Sequence, residues 1–195
     1  MYKNSKYQKR SGFTLIELVL VMGITVIFLA ITFAVFSIVN TSHAKVAVQN
    51  DVKDFADLNM QAIEKLTADA NVIILSNSAA FISGETGYTS LYFKTDATTK
   101  ESALYYCVDG STEQKAFTWD QYTIKNGTQK KWSVVPLFTK SATAGIVHVK
   151  LQIIDNSSNT VYYTLEKDVI FLNIDNTSFV TNASGTVLKF KNFVP

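Results

Sequence analysis

The sequence predicts an α+β fold, in which one long N-terminal α-helix packs on a C-terminal, antiparallel, β-rich globular head. Two patterns predict the helix: an uncharged apolar run over residues 18–39, and an apolar stripe at helical spacing that continues it to about residue 68. A third pattern predicts the head, because short β-prone runs separated by turn residues begin near Ala70. Hydrophobic residues make up 47% of the chain and charged residues 17%, a balance that argues against disorder.

The first element is an apolar segment of membrane length. From Leu18 to Val39 there are 22 consecutive uncharged residues, enough for a helix to cross the roughly 30 Å hydrocarbon core of a bilayer. One carboxylate, that of Glu17, directly precedes this run. Because an ionisable group at the start of such a segment is energetically costly, Glu17 is a candidate functional residue.

The same helix is predicted to continue beyond the membrane segment. From Thr41 onward the sequence becomes polar, but apolar residues recur at spacings of three and four, which predicts an amphipathic helix. The stripe consists of Val48, Val52, Phe55, Leu58, Ala62, Ile63 and Leu66. Since only Gly23 and no proline interrupts the pattern, we predict a single helix from Phe13 to about Ala68, roughly 80 Å long. Its second half needs a sheet to cover the stripe.

The head is predicted to consist of short antiparallel strands separated by turn signals such as Asp109-Gly110. The clearest hairpin pairs His148–Ile154 with Val161–Leu165 across the polar loop 155–159. The candidate strands are Asn71–Leu75, Ala79–Ser83, Ser90–Lys94, Ala103–Val108, Gln114–Trp119, Trp132–Phe138, Gly145–Ile154, Thr160–Leu165, Asp168–Ile174 and Thr186–Lys191.

The distribution of charge predicts the orientation of the chain in a membrane. The formal net charge is +2, but Lys3, Lys6, Lys9 and Arg10 all precede Gly12 with no acid among them. Without those four residues the chain has 14 basic and 16 acidic residues, a net charge of −2. By the positive-inside rule, this places the N-terminus in the cytoplasm and the C-terminal part outside. The basic surplus is therefore a topology signal and not a sign of nucleic-acid binding.

The N-terminal motif reads KRSGFTLIE from Lys9 to Glu17 and runs directly into the apolar helix. This stretch resembles the N-terminus of type IV pilins and pseudopilins, over about Lys9–Val39. In that family a dedicated peptidase cuts after the glycine and methylates the new N-terminal phenylalanine. The resemblance implies cleavage after Gly12 and methylation of Phe13. It also implies that Glu17 pairs with the N-terminal amine of a neighbouring subunit during assembly.

The resemblance further implies a division of the chain. Residues 1–12 would be a basic leader that is removed, and residues 13–39 a transmembrane and filament-core helix. Residues 40–69 would be its amphipathic continuation, and residues 70–195 the β-rich globular head. Before assembly the protein would lie in the bacterial cytoplasmic membrane as a single-pass protein with its N-terminus inside. Afterwards it would lie in a cell-surface or periplasm-spanning filament.

The role implied by the resemblance is structural rather than enzymatic, with no cofactor and no metal. The partners would be the prepilin peptidase and methyltransferase, the cytoplasmic membrane and other pilin or pseudopilin subunits. The mature chain would have 183 of the 195 residues and a large head. It would thus resemble the bulkier minor pilins or pseudopilins that initiate or cap filaments. Adhesion or motility, DNA uptake and type II-like protein secretion all stay open as the purpose of the filament.

Two other classes of protein are alternatives. The residues Ser42, His43 and Ala44 before Lys45 resemble the cleavage site of an ordinary secretory signal, which would release a soluble β-domain binding protein. Against this, the apolar run is too long for a signal core, and no role is left for Glu17. A membrane-anchored protein with an uncleaved signal is the second alternative.

No catalytic set is evident in the sequence. The two histidines, His43 and His148, are far apart, and His148 alternates with valines as a solvent-facing strand residue would. Cys107 is the single cysteine, so an intrachain disulfide is excluded, and its apolar β-prone surroundings predict a buried, inert thiol. The loop from Asp109 to Glu113 has two carboxylates, which we interpret as solvated groups rather than calcium ligands.

Aromatic residues and lysines alternate in one further patch of the head. This pattern suits single-stranded nucleic acid, but core aromatics with solvated turn lysines explain it equally well. The head has 11 basic and 10 acidic residues, so no strong positive field supports binding, and DNA contact is the lesser alternative. The patch consists of Trp119, Tyr122, Lys125, Lys130, Lys131 and Trp132.

Overall fold

The computed structural model of the protein describes residues 12–79, 87–118, 127, 129–143, 145–171, 173–174 and 183–192. The chain divides into two compact units, Met1–Gln49 and Asn50–Pro195. Helix α1 spans Leu15–Thr67. Within the described residues it is followed by the strands β1 (Ala70–Ser76), β2 (Thr89–Thr95), β3 (Ser102–Val108), β4 (Gln114–Thr118), β5 (Trp132–Lys140), β6 (Ile146–Asp155), β7 (Thr160–Ile170), β8 (Ser184–Gly185) and β9 (Val187–Asn192).

Helix α1 confirms the prediction of one uninterrupted helix through the apolar run and the amphipathic stripe. It contains 53 residues and starts two residues later than predicted. Lys65 lies in its last turn, where a positive charge interacts favourably with the helix dipole. The last turn also satisfies its own polar group, because the Thr67 hydroxyl donates to the carbonyl oxygen of Ile63 at 2.7 Å.

The part of α1 that follows Gln49 buries one face. The predicted stripe is right for Val52, Phe55 and Ile63, but wrong for Leu58, which is 47% exposed. With 3.6 residues per turn, Leu58 lies about 140° from the centre of the buried face, so its spacing of three from Phe55 leads away from the core. The buried residues are Val52, Phe55, Ala56, Asn59, Met60, Ile63 and Thr67.

Two antiparallel sheets make up the head. The five-stranded sheet has the order β1-β9-β2-β3-β4, and the four-stranded sheet has the order β7-β6-β5-β8. The first and last strands of the head, β1 and β9, pair with each other, and β9 lies between β1 and β2. The two sheets approach closely at Gly185, where an added Cβ would overlap the backbone of Ser76. Glycine is therefore required at this position.

An apolar cluster joins α1 to both sheets. The rings of Phe55 on α1 and Phe117 on β4 lie 5.9 Å apart between centroids. The buried residues alternate along the strands, as expected for sheets with one face on a core. This arrangement confirms the predicted fold class. Members of the cluster include Met60, Ile63, Ile73, Leu75, Leu91, Leu104, Phe138, Val147, Val149, Leu151, Val169, Leu188 and Phe190.

The predicted hairpin of His148–Ile154 with Val161–Leu165 is confirmed as the pair β6–β7, which closes with Asp155 opposite Thr160. The two strands predicted over Thr160–Leu165 and Asp168–Ile174 are wrong in their division, since β7 runs without a break to Ile170. No turn residue separates the two runs, and the charged residues between them have partners on other elements: Glu166 on β6, and Lys167 on α1, where it contacts Glu64 at 2.7 Å. The Glu166 carboxylate contacts Lys150 at 2.7 Å.

The other predicted strands have observed counterparts, with shifted ends, wherever the structure describes them. Strand β6 begins at Ile146 rather than Gly145, which has a positive φ of 70°. Most of the strand predicted over Ala79–Ser83 and the end of the one predicted over Gln114–Trp119 lie outside the described residues.

Candidate functional site

The first turn of α1 is held by the two residues that begin and end the motif Thr14-Leu15-Ile16-Glu17. The backbone N–H and the hydroxyl of Thr14 both donate to Oε2 of Glu17, each at 2.8 Å. In return, the Glu17 N–H donates to the Thr14 hydroxyl oxygen at 3.4 Å. This reciprocal arrangement is a capping box, in which Thr14 is the N-cap residue and Glu17 is the third residue of the helix.

The capping box sets where the helix starts. The first helical hydrogen bond runs from the N–H of Leu18 to the carbonyl oxygen of Thr14 at 3.2 Å. Gly12 and Phe13 precede the helix and have no regular secondary structure, so the peptide bond between them lies outside it. The sequence analysis missed Thr14, although a threonine followed three residues later by a glutamate is the recognised signal for this cap.

Apolar side chains surround this first turn and continue along the helix. Phe13, Leu15 and Ile16 are 84%, 82% and 75% exposed, and large apolar side chains stay exposed as far as Val39. By its length and composition, α1 is long and apolar enough to cross a membrane. Glu17 therefore lies at the start of a helix surface for which water is a poor solvent.

The hydroxyl groups inside the apolar segment are satisfied by the helix itself. Thr25 donates to the carbonyl oxygen of Val21 at 2.7 Å, and Thr32 donates to that of Phe28 at 2.8 Å. A hydroxyl bonded in this way requires no water, so it is tolerated in an apolar environment. Glu17 is the one carboxylate in residues 12–39, and it keeps an acceptor oxygen, Oε1, that has no hydrogen-bond partner among the described residues.

The other candidate residues lie in separate places. His43 lies in α1, and His148 lies on β6, where its Nδ1 is 2.8 Å from Oδ1 of Asp168. The side chain of His148 is 41% exposed, which confirms the predicted solvent-facing position. Cys107 is buried, as predicted, and its thiol contacts the carbonyl oxygen of Ser111 at 2.9 Å.

The two carboxylates of the 109–113 loop have separate partners. The Asp109 carboxylate accepts a hydrogen bond from the N–H of Gly87. The Glu113 carboxylate accepts hydrogen bonds from the ammonium of Lys94 at 2.6 Å and from the hydroxyl of Tyr92 at 2.5 Å. The Lys94 bond, together with the Tyr92 bond, lowers the pKa of Glu113. In the parts of the chain that the structure describes, no three His, Cys, Asp or Glu side chains are grouped to hold a metal ion.

The aromatic and lysine patch is described only in its second half, since Trp119, Tyr122 and Lys125 lie outside the described residues. Trp132 is fully buried, and its ring centroid lies 4.4 Å from that of Tyr162. The Lys131 ammonium lies 4.6 Å from the centroid of the Trp132 ring. Because Trp132 is a core residue, it offers no free face on which a base could stack.

In its N-terminal turn, its long apolar helix and its antiparallel β-rich head, this chain is similar to type IV pilins. The family model described as the prokaryotic N-terminal methylation motif matches residues 7–33 of this chain. The match includes Gly12, Phe13, Thr14 and Glu17, and it extends into the apolar half of α1. No curated protein matches this chain.

Two solved structures of the PilB minor pilin from Streptococcus sanguinis are similar to this chain. The structure of the D319A mutant has 11% sequence identity and a TM-score of 0.47, over 73% of this chain and 34% of that one. The second structure has 12% identity and a TM-score of 0.40, over 70% of this chain and 33% of that one. This chain therefore spans about a third of the length of those proteins.

Proposed function

We propose that this protein is a structural subunit of a type IV pilus-like filament, a minor pilin or pseudopilin. It is made with a basic leader of residues 1–12, is cleaved after Gly12 by a prepilin peptidase, and is N-methylated at Phe13. The observation that carries the proposal is the methylation motif over residues 7–33, which places Glu17 at the start of an exposed apolar helix. The capping box supports it, because it leaves the Gly12–Phe13 bond outside the helix.

In this proposal, the charge of Glu17 brings neighbouring subunits into register. In the membrane the helix over residues 13–39 is surrounded by lipid, and in the filament it is surrounded by the same helices of other subunits. Because both surroundings are apolar, the exchange has no large hydrophobic cost. A buried carboxylate without a partner costs several kcal/mol, and an amine in the same layer offsets much of that cost. Glu17 therefore pairs with the Phe13 amine of a neighbouring subunit when the two are in register.

The capping box prepares Glu17 for this exchange. Both hydrogen bonds from Thr14 use Oε2. The second oxygen, Oε1, is then available to accept from an amine without loss of the cap. A carboxylate held in one orientation loses less conformational freedom on pairing than a freely rotating one.

The remaining parts of the chain follow from this role. Residues 40–69 continue the helix, whose buried face after Gln49 packs on the head, and residues 70–195 form the head on the filament surface. The precursor lies in the bacterial cytoplasmic membrane with its basic N-terminus inside. After assembly, the protein lies in a cell-surface or periplasm-spanning filament. Its partners are the peptidase and methyltransferase, the membrane and other subunits, and its task is assembly rather than catalysis.

A charge-specific substitution tests the proposal. Glu17→Gln retains a side-chain oxygen that accepts from Thr14, so the cap is preserved while the charge is lost. In the cell of origin, we expect the variant to be inserted and cleaved, but to be reduced at least about tenfold in sheared filaments, since about 1.4 kcal/mol of lost pairing gives that factor. The control is Asp54→Asn, an exposed acid on the same helix. Wild-type incorporation of Glu17→Gln would remove the pairing role.

A further inference from the structure

A hollow of about 250 Å³ lies on the outer face of the five-stranded sheet, across β2, β3 and β4. The register places Ala103 opposite Lys94, and Tyr105 opposite both Tyr92 and Lys115. These residues alternate with the core residues of the same strands, so their side chains are on the face turned away from the apolar cluster. Ala103, which has only a methyl group, lies in the lining of the hollow beside Lys94 and Tyr105.

An aromatic ring forms one wall of this hollow. Tyr105 is half-buried, and its ring stacks on that of Tyr92 with 6.3 Å between centroids and 18° between planes. The ammonium groups of Lys94 and Lys115 lie 5.6 Å and 5.9 Å from the Tyr105 centroid. Stacking on Tyr92 fixes the orientation of the ring, so it is a preorganised surface for a ligand.

Charges of both signs surround the ring. Lys94 contacts Glu113 at 2.6 Å, and Lys115 contacts Glu101 at 3.4 Å. The lining of the hollow has two ammonium groups and the two carboxylates of Asp96 and Glu101. A strongly charged ligand of either sign would meet repulsion as well as attraction here. A neutral ligand with many hydroxyl groups is repelled by neither kind of charge, because hydroxyls donate to carboxylates and accept from ammonium groups.

One edge of the hollow is a tight turn. Oδ1 of Asp96 accepts the backbone N–H groups of Thr98 and Thr99, at 2.8 Å and 2.7 Å. The bonds to Thr99 and Thr98 lower the pKa of Asp96, so the carboxylate is ionised at neutral pH. Asp96 is thus a fixed acceptor at the rim, and its position requires no reorganisation when a ligand arrives.

We propose that this hollow binds a single neutral saccharide unit, with one face of the sugar ring against Tyr105 and its hydroxyls between the lysines and the acids. The volume suits this class, because it is smaller than the roughly 300–1,000 Å³ of pockets for drug-sized ligands. The inference is independent of the assignment of the N-terminal motif, since it rests only on the head. It makes the head a site of contact with glycans.

The test is saturation-transfer NMR of the full-length chain in micelles of a sugar-free detergent such as dodecylphosphocholine. The probes are methyl α-glucoside, methyl β-galactoside and N-acetylglucosamine, each at millimolar concentration. We expect at least one probe to receive saturation and to shift the amide signals of Thr99, Glu101 and Tyr105. If none of the three does so, the proposal is overturned.

Two substitutions locate the binding. Tyr105→Leu removes the aromatic wall, and Lys115→Ala removes one ammonium. Each substitution is expected to weaken the binding of the responding probe at least tenfold. The matched control is Lys150→Ala, because Lys150 also contacts a carboxylate, that of Glu166 at 2.7 Å, but on the other sheet. An amide spectrum as well dispersed as that of the wild type establishes folding of each variant. Undiminished binding by folded Tyr105→Leu and Lys115→Ala variants, or equal loss in Lys150→Ala, would overturn the assignment.

Discussion

Replacing Thr14 by valine tests whether the capping box holds the start of α1. The two side chains have nearly the same shape, but valine neither donates to Glu17 nor accepts from its N–H, so two of the three hydrogen bonds of the box are lost. Loss of an N-cap typically costs about 1 kcal/mol. Since 1.4 kcal/mol is a factor of ten, the first turn should open about fivefold more often.

The assay is hydrogen exchange of the Leu18 amide in the full-length chain in micelles, because this N–H makes the first helical hydrogen bond of α1, to Thr14. We expect about fivefold faster exchange in Thr14→Val and an unchanged rate in Thr14→Ser, which keeps the hydroxyl. Thr25→Val is the control, since its lost hydroxyl bond goes to Val21 within the helix rather than to the cap. Wild-type exchange in Thr14→Val, or the same acceleration in Thr25→Val, would refute the reasoning.

Three further predictions concern the unit Asn50–Pro195 and are checked by denaturant unfolding in micelles. Ile63→Ala should cost about 2–5 kcal/mol because Ile63 is fully buried, whereas Leu58→Ala on the same helix should cost less than about 0.5 kcal/mol; equal costs would contradict the buried face described above. Gly185→Ala should destabilise by about 1–3 kcal/mol, because the added Cβ overlaps a backbone; a neutral result would mean that the two sheets separate easily. The hydrogen bond from Lys94, followed by that from Tyr92, lowers the pKa of Glu113 in the folded state, so its stabilising effect is present above the usual value of 4.5 and is lost as pH falls through the lower folded value. The stability difference between wild type and Glu113→Gln should therefore shrink below about pH 4.5, and a constant difference down to full protonation would contradict this.

Much of the fold was predictable from local patterns in the sequence. The apolar run and the three-and-four spacing identified α1 to within two residues, because both signals act within one or two helical turns. The β6–β7 hairpin was predictable for the same reason, since its two strands are joined by a short polar loop. The buried face of the helix was predicted wrongly at Leu58, because a spacing of three from Phe55 is compatible with two neighbouring stripes on the helix surface.

Long-range pairing was not predictable from the sequence. Strand β9 lies between β1 and β2, although about 110 residues separate β1 from β9 along the chain. No residue pattern within either strand specifies that partner. The single β7 strand was also missed, because charged residues such as Glu166 look like a break until the opposite strand supplies Lys150.

The candidate site was predictable in its residues but not in its geometry. The spacing from Gly12 to Glu17 identified the motif, and the family match over residues 7–33 includes it. The partner of Glu17 within the chain, Thr14, was missed, although its spacing of three from the glutamate is a sequence signal for a capping box. The hollow beside Tyr105 required the structure, because its walls depend on the register of β2, β3 and β4 and on the register shift between Leu104 and Tyr105.

The most direct test of the central claim is the mass of the N-terminal peptide of the protein isolated from its own cell. The account predicts a chain that begins at Phe13 and has one added methyl group. A chain that begins at Lys45 would instead be a secreted domain, and a chain that still has its basic leader would be a membrane-anchored protein. Either of these two results would contradict the assignment as a processed filament subunit.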